Sequence, residues 1–224
     1  LVTVRRILLR ILILVLVLGA ALAGWILYDL NKTVKVDIRA FDPDEVARLD
    51  TAMWRSYYSR HRFQLFREAT ELLGEQYHLP FWRRQLVAYY AAKSAFIFKD
   101  GKSREDYEKA LPDLEKFYSE IRSVSTTDFD VDKAARLELE WWIVHRNRAQ
   151  YQPGDLARAL ADAASAIYNV PADQLLGYGD LRVEAMVIRD SQAEAEGVSE
   201  EDWQKIDDLL HGSWRSLHEV VNKQ

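Results

Sequence analysis

An apolar run near the N-terminus constrains this chain more than any other feature. Residues 11–28 contain no charged side chain, and three arginines precede them, at Arg5, Arg6 and Arg10. A run of this length is close to the ~20 residues that an α-helix needs to cross a bilayer. The first 30 residues therefore have the pattern of a membrane-spanning helix or of a cleavable signal peptide.

The same segment contains a possible cleavage pattern. Residues 21–23, Ala-Leu-Ala, match the small-x-small motif that precedes signal-peptide cleavage. The apolar character nevertheless continues beyond Ala23, and Trp25 and Tyr28 fall where the aromatic belt of a membrane helix would lie. We therefore expect an anchor that is kept.

The distribution of positive charge predicts the orientation of this anchor. The three arginines precede the apolar run, whereas only Lys32 and Lys35 follow it closely. Cytoplasmic flanks carry the excess of Lys and Arg, so the N-terminus is expected in the cytoplasm. Residues 31–224 would then lie outside, in the periplasm of a bacterium, on a single-pass protein of the inner membrane.

Small residues in the anchor offer a surface for another helix. Gly19 and Ala23 are four residues apart, and so are Ala20 and Gly24. Such pairs allow the backbones of two membrane helices to approach closely. The alternative is that Gly and Ala are simply frequent in membrane helices, and the sequence leaves both interpretations open.

The remainder of the chain has the composition of a folded, acidic domain. The whole sequence carries 30 basic and 35 acidic residues, and residues 31–224 alone have a net charge of −7. This balance argues against nucleic acid as a partner, because nucleic-acid surfaces need clustered Lys and Arg. No cysteine is present, which excludes disulfides, thiolate metal sites and cysteine nucleophiles.

Helical spacing of apolar residues after residue 41 predicts an all-α domain. Asp42, Pro43 and Glu45 form a helix start, with an N-cap, a proline at the first position and a capping-box carboxylate. This first helix, or two near-collinear helices, should end before Leu79, and Pro112 should kink or restart a later one. Further helices are expected at about 81–98, 103–121, 131–148, 156–168, 181–195 and 199–221.

The predicted organisation has three parts. They are a transmembrane anchor at residues 1–30, an extended linker at 31–41 and a helical domain at 42–224. The domain is expected to be an irregular bundle of six or seven helices. A solenoid is the alternative, but its 34-residue period does not recur in this sequence.

Residues 135–148 are the densest candidate for chemistry. Helical spacing places Glu138, Trp141, Trp142 and His145 near one stripe. One hypothesis is that Glu138, His145 and Glu184 hold a metal between helices. Another is that Trp141, Trp142 and His145 contact a pigment, a haem or a quinone.

Structural roles are the favoured interpretation of these residues. Di-iron bundles need two inward Glu-x-x-His pairs, and the sequence has one, Glu75 to His78, at a helix end. We therefore expect no cofactor. The carboxylates should pair with inward arginines, and His145 should form a hydrogen bond in a core lined with tryptophan.

The stretch "PFWRRQ", residues 80–85, is a candidate interface. Trp82, Arg83 and Arg84 could seat the domain on lipid headgroups or on a partner protein. The alternative is that they form only the solvated first turn of a helix.

These patterns favour a non-catalytic, single-pass accessory or structural subunit. Its helical domain would dock on a larger integral membrane complex, for which a respiratory or photosynthetic energy-transducing complex is one suitable host. The sequence contains neither a Gly-x-Ser-x-Gly elbow nor a phosphate-binding loop. Two alternatives stay open: a membrane-tethered metal- or cofactor-binding enzyme that uses Glu138, His145 and Glu184, and a repeat-like adaptor for a soluble partner.

Overall fold

A computed structural model describes residues 2–194 and 197–223, and this part of the chain is all-α without a strand. The predicted fold class is thus confirmed. Two 3₁₀ turns, Arg148–Gln150 and Ala172–Leu175, accompany the α-helices. The helices are α1 (Val2–Asn31), α2 (Pro43–Tyr58), α3 (Arg62–Glu75), α4 (Phe81–Asp100), α5 (Arg104–Glu108), α6 (Leu111–Val124), α7 (Val131–Arg146), α8 (Asp155–Tyr168), α9 (Leu176–Glu194) and α10 (Glu200–Val221).

Helix α1 is one continuous apolar helix that extends from the domain. Its 30 residues span about 45 Å at 1.5 Å per residue. The segment Val4–Asn31 has a mean hydropathy of 2.7, and its most apolar window is not buried against the rest of the chain. In the described ranges it is the one helix long and apolar enough to cross a membrane.

Helices α2 and α3 form an antiparallel hairpin, so the predicted single or near-collinear helix is wrong. Arg60 adopts a left-handed conformation with φ of 61°, which ends α2 and turns the chain back. The far ends of the two helices consequently meet, and the Arg48 guanidinium lies 3.7 Å from the Glu71 carboxylate. No glycine or proline marks this turn in the sequence, which explains the error.

The restart expected at Pro112 is confirmed. Ser103 caps α5 by accepting a hydrogen bond from the Asp106 amide at 3.3 Å, and α6 begins at Leu111 with Pro112 in its first turn. Because of this break and the α2–α3 turn, the described part of the domain contains nine helices, α2–α10, rather than six or seven.

The segment between α1 and α2 contains no helix, and it is part of the core. The amide of Val36 donates to the carbonyl of Val124 at 2.7 Å, and the amide of Thr126 donates back to the carbonyl of Val36 at 2.8 Å. The side chains of Val36, Ile38 and Phe41 are buried. The chain that follows α1 is therefore fixed to the C-terminal end of α6.

A buried ion pair connects three helices of the domain. The Arg182 guanidinium of α9 donates to the Asp50 carboxylate of α2 at 2.7 Å, and the indole N–H of Trp214 in α10 donates to the same oxygen at 2.8 Å. The rings of Trp54, Tyr178 and Trp214 surround the guanidinium at 5.4–5.8 Å. Because both charges are buried, each depends on the other for its stabilisation.

Removing one member of this pair should destabilise the domain strongly. We expect Arg182→Met to lower the free energy of unfolding by about 3–5 kcal/mol, since the Asp50 carboxylate would stay buried without its partner. The double variant Asp50→Leu/Arg182→Met should recover most of that loss. Arg136→Met, which breaks an exposed pair with Asp132, should cost less than about 1 kcal/mol. Denaturant unfolding followed by circular dichroism measures all three, and equal losses for Arg182→Met and Arg136→Met would contradict this account.

Candidate functional site: the junction of the anchor and the domain

The first turn of α4 is capped by a residue of α1. Pro80 precedes α4 and has no side chain that can accept a hydrogen bond. Instead, the Asp29 carboxylate accepts from the amide of Trp82 at 2.6 Å and from the amide of Arg83 at 3.3 Å. These are two of the N–H groups that a helix start leaves without an intrahelical partner. The anionic side chain also suits the positive end of the α4 dipole.

Arg83 completes the connection in the opposite direction. Its guanidinium donates to the carbonyl of Leu30, in the last turn of α1, and to the hydroxyl of Ser123 in α6 at 3.4 Å. Its Nε atom lies 3.5 Å from the Glu120 carboxylate. Because Arg83 is 8% exposed, this cation is held inside the structure. We call the group of Asp29, Leu30, Arg83 and Glu120 the junction.

Aromatic rings cover one side of the junction. Trp25 of α1 stacks on Phe81 with ring centroids 5.6 Å apart and an interplanar angle of 18°, and it meets Trp82 edge-on at 5.4 Å. The Arg84 guanidinium lies 5.1 Å from the Phe81 ring centroid. Stacked and edge-on pairs of this kind contribute about 0.5–1.5 kcal/mol each beyond the area that they bury.

The structure therefore brings four predicted interface residues, Trp25, Trp82, Arg83 and Arg84, into one site. Tyr28 is different, because 67% of its side chain is exposed.

The four small residues of α1, Gly19, Ala20, Ala23 and Gly24, are exposed. A Cβ atom added at Gly19 or Gly24 would meet no atom within 4 Å beyond the local backbone of the helix.

Sequence reasoning missed Asp29 and Phe81. A signal for Asp29 existed: it is the first charged residue after the apolar run, and Pro80 shows that α4 needs a cap from elsewhere. Nothing in the sequence links Asp29 to Pro80, which lies more than 50 residues later. The role of Phe81 depends on the same unforeseen contact.

Glu138, a candidate metal ligand, is instead satisfied by neighbouring side chains. The Tyr118 hydroxyl donates to one carboxylate oxygen at 2.9 Å, and the Trp142 indole donates to the other at 3.1 Å. Burial raises the pKa of the Glu138 carboxyl, and hydrogen bonds from Trp141, Tyr118 and Trp142 only partly oppose this effect. Arg182, the inward arginine, binds Asp50 directly and not Glu138 or Glu184.

His145 and Glu184 lie apart from the Glu138 carboxylate. The Nε2 atom of His145 is 3.1 Å from the Asp190 carboxylate, which Arg148 and Arg189 also contact. Although burial acts to raise it, the pKa of Asp190 is lowered by these hydrogen bonds and charges. Glu184 is exposed. In the ranges that the structure covers, no three His, Asp or Glu side chains are grouped as a metal site would require.

Trp141 and Trp142 pack on each other and on the core. Their rings meet edge-on with centroids 6.1 Å apart, and Trp142 also meets Phe98 at 5.3 Å. The Trp142 indole N–H is occupied by Glu138. These contacts support the structural role expected for the pair.

Comparisons with protein-family models, with curated proteins and with solved structures find no match for this chain. The site is therefore interpreted from its own geometry.

Loss of the Asp29 carboxylate should open the start of α4. In Asp29→Ala we expect the amides of Trp82 and Arg83 to exchange with solvent roughly fivefold faster, since a helix cap contributes about 1 kcal/mol. Hydrogen–deuterium exchange on the full chain in detergent measures this. The matched control is Asp42→Ala, which removes the cap of α2 and should leave residues 82 and 83 unchanged. Unchanged exchange at these two amides in Asp29→Ala would refute the capping role.

The raised pKa of Glu138 should appear as pH-dependent stability. The folded protein holds this proton more tightly than the unfolded chain, whose Glu titrates near its ordinary value of 4.5. The free energy of unfolding should therefore fall as pH rises from 4.5 through the raised pKa. Glu138→Gln should remove this component of the slope, and Glu184→Gln, on an exposed side chain, should keep it. Denaturant unfolding at several pH values decides between these outcomes.

Proposed function

We propose that this chain is a non-catalytic, single-pass subunit that docks on a larger integral membrane complex. In this proposal α1 crosses the inner membrane of a bacterium with its N-terminus in the cytoplasm, and the helical domain lies in the periplasm. The observation that carries the proposal is the junction, where the anchor and the domain cap each other's helices.

A fixed junction suits a subunit better than a tether. A domain that only needs to stay near a membrane can hang on a flexible linker, which costs nothing in burial or hydrogen bonding. Here Asp29 caps α4, Arg83 binds the last turn of α1, and the following segment is fixed through Val36. The domain therefore has one defined orientation relative to α1, which is what docking on a partner requires.

The surface of α1 supports a partner within the membrane. The large side chains of its central part are about half exposed or more, and Gly19 and Gly24 leave open space beside the backbone. Helix association in lipid depends on close packing at such small residues. A helix of the partner complex would fit along Gly19, Ala20, Ala23 and Gly24.

The test is migration of the native protein after extraction in mild detergent. We expect the wild-type chain to migrate in an assembly much larger than its own 26.0 kDa. Gly19→Leu should release it, because the new side chain would occupy the space needed by the partner helix. The same substitution should leave the fold intact, since nothing in the chain lies within 4 Å of that position.

Ala21→Leu is the matched control. It creates the same side chain on the same helix, adding three carbon atoms where Gly19→Leu adds four, but about 200° around the axis from Gly19, and it should keep the assembly. Migration of the wild-type chain as a free monomer would contradict the proposal, as would equal release by both variants.

A reporter fusion tests the orientation. The orientation proposed puts the C-terminus outside the cytoplasm. A phosphatase that matures only outside the cytoplasm should therefore be active when it is fused there.

A further inference from the structure

Helix α4 carries an exposed aromatic face that the domain does not use. Phe81, Tyr89, Ala92 and Phe96 follow one another at intervals of eight, three and four residues, so they share one side of the helix. The three aromatic side chains are 43%, 52% and 36% exposed. Arg83, Val87 and Ser94 lie on the opposite side and are buried. We call the first four residues the α4 stripe.

The stripe bounds a shallow apolar groove. Tyr89, Ala92, Phe96 and Ile97 line it, together with Lys93 and Asp100, and its volume is ≈ 340 Å³. Apolar surface of this kind, concentrated along one helix, is typical of a place where something else packs.

The start of the stripe adjoins the end of α1. Leu30, in the last turn of α1, is bound by Arg83, whose side chain points toward α6. Just over one turn earlier, Trp25 stacks on Phe81, the first residue of the stripe. Both contacts involve the first turn of α4, so the near end of the stripe adjoins the last turns of α1. A membrane that α1 enters would lie close to this end of the stripe.

A guanidinium group lies near two of the three exposed aromatic rings of α4. The Arg84 guanidinium lies 5.1 Å from the Phe81 centroid, and the Arg62 guanidinium lies 5.2 Å from the Phe96 centroid. Beside the stripe, the Lys116 ammonium lies 5.6 Å from the Tyr90 centroid. Exposed aromatic rings can enter the interface of a bilayer while neighbouring cations meet the lipid phosphates.

The start of α3 and the turn before it form a second basic and aromatic site next to the far end of the stripe. Phe63 is 96% exposed, and Arg60 and Arg62 precede it closely in the sequence. Because Arg62 reaches the Phe96 ring, this site adjoins the stripe. A phenylalanine so exposed in water gains free energy when it enters an apolar or interfacial environment.

We propose that the α4 stripe and Phe63 lie on the outer leaflet of the membrane that α1 crosses, with anionic headgroups bound by the exposed Arg62 and Lys116. This inference rests on the proposed membrane insertion of α1. A second copy of the chain is a poor occupant, because a symmetric contact through this face would bring the same cations together. The phosphates of anionic lipids complement these cations, and the near end of the stripe already lies at the anchor.

Site-specific labelling tests this proposal, because the chain has no cysteine of its own. Single variants Phe96→Cys and Tyr89→Cys of the full chain carry an environment-sensitive fluorophore. They are reconstituted into vesicles of phosphatidylcholine and anionic phosphatidylglycerol that contain nitroxide-labelled lipid. Gly19→Cys reports insertion of α1, and Val187→Cys, at a residue of similar exposure on α9 (44%), is the matched control.

We expect lipid quenching at residues 89 and 96 that approaches the quenching at residue 19, with little at residue 187. Substituting Arg62 and Lys116 by Gln should weaken quenching at residue 96 in anionic vesicles, with no effect at residue 19. Quenching at residue 19 alone would overturn this inference and leave the proposed function standing. Absence of quenching at residue 19 would overturn both. Protection of residue 96 in native membranes but not in vesicles would assign the stripe to a protein partner and reject the lipid contact.

Discussion

The orientation of the whole domain depends on two ends of helices that satisfy each other. A helix start needs acceptors and a helix end needs donors, and here α4 receives its acceptor from Asp29 while α1 receives its donor from Arg83. Neither helix could keep these partners if the other moved away. Because α4 also packs on α3 and α6, the position of α1 relative to α4 fixes its position relative to these two helices as well.

The domain itself is organised around a second charged contact at some distance from the junction. Asp50, Arg182 and Trp214 join α2, α9 and α10, which contain the two ends of the domain sequence. Buried pairs of this kind contribute little net stability but tolerate few alternative arrangements. The junction and this pair thus have different roles. The junction sets the orientation of the domain relative to α1, and the ion pair holds α2 against α9 and α10.

Local signals in the sequence predicted the helices well and their contacts poorly. Asp42, Ser103 and Pro112 act within a few residues of themselves, and the structure places a helix start at each. Arg60 reverses the chain although its residue type gives no sign of a left-handed turn. Asp29 and Asp50 bind partners 53 and 132 residues away in the sequence. Nothing local in a single sequence shows which residues so far apart will meet. Trp25, Trp82, Arg83 and Arg84 were named from the sequence as contacts to lipid or to a partner. In the structure they contact one another and neighbouring helices of the same chain, and no signal in the sequence indicated those contacts.

The attachment of Val36 to the end of α6 has a mechanical consequence. A force that pulled on α1 would first be borne by the hydrogen bonds of Arg83 and by the two backbone hydrogen bonds of Val36. These bonds connect α1 and the segment after it to α4 and to the C-terminal end of α6. The covalent connection to α2 would carry load only after these contacts had failed. Movement of α1 would therefore reach α4 and α6, in the middle of the chain, before it reached α2, the next helix in the sequence.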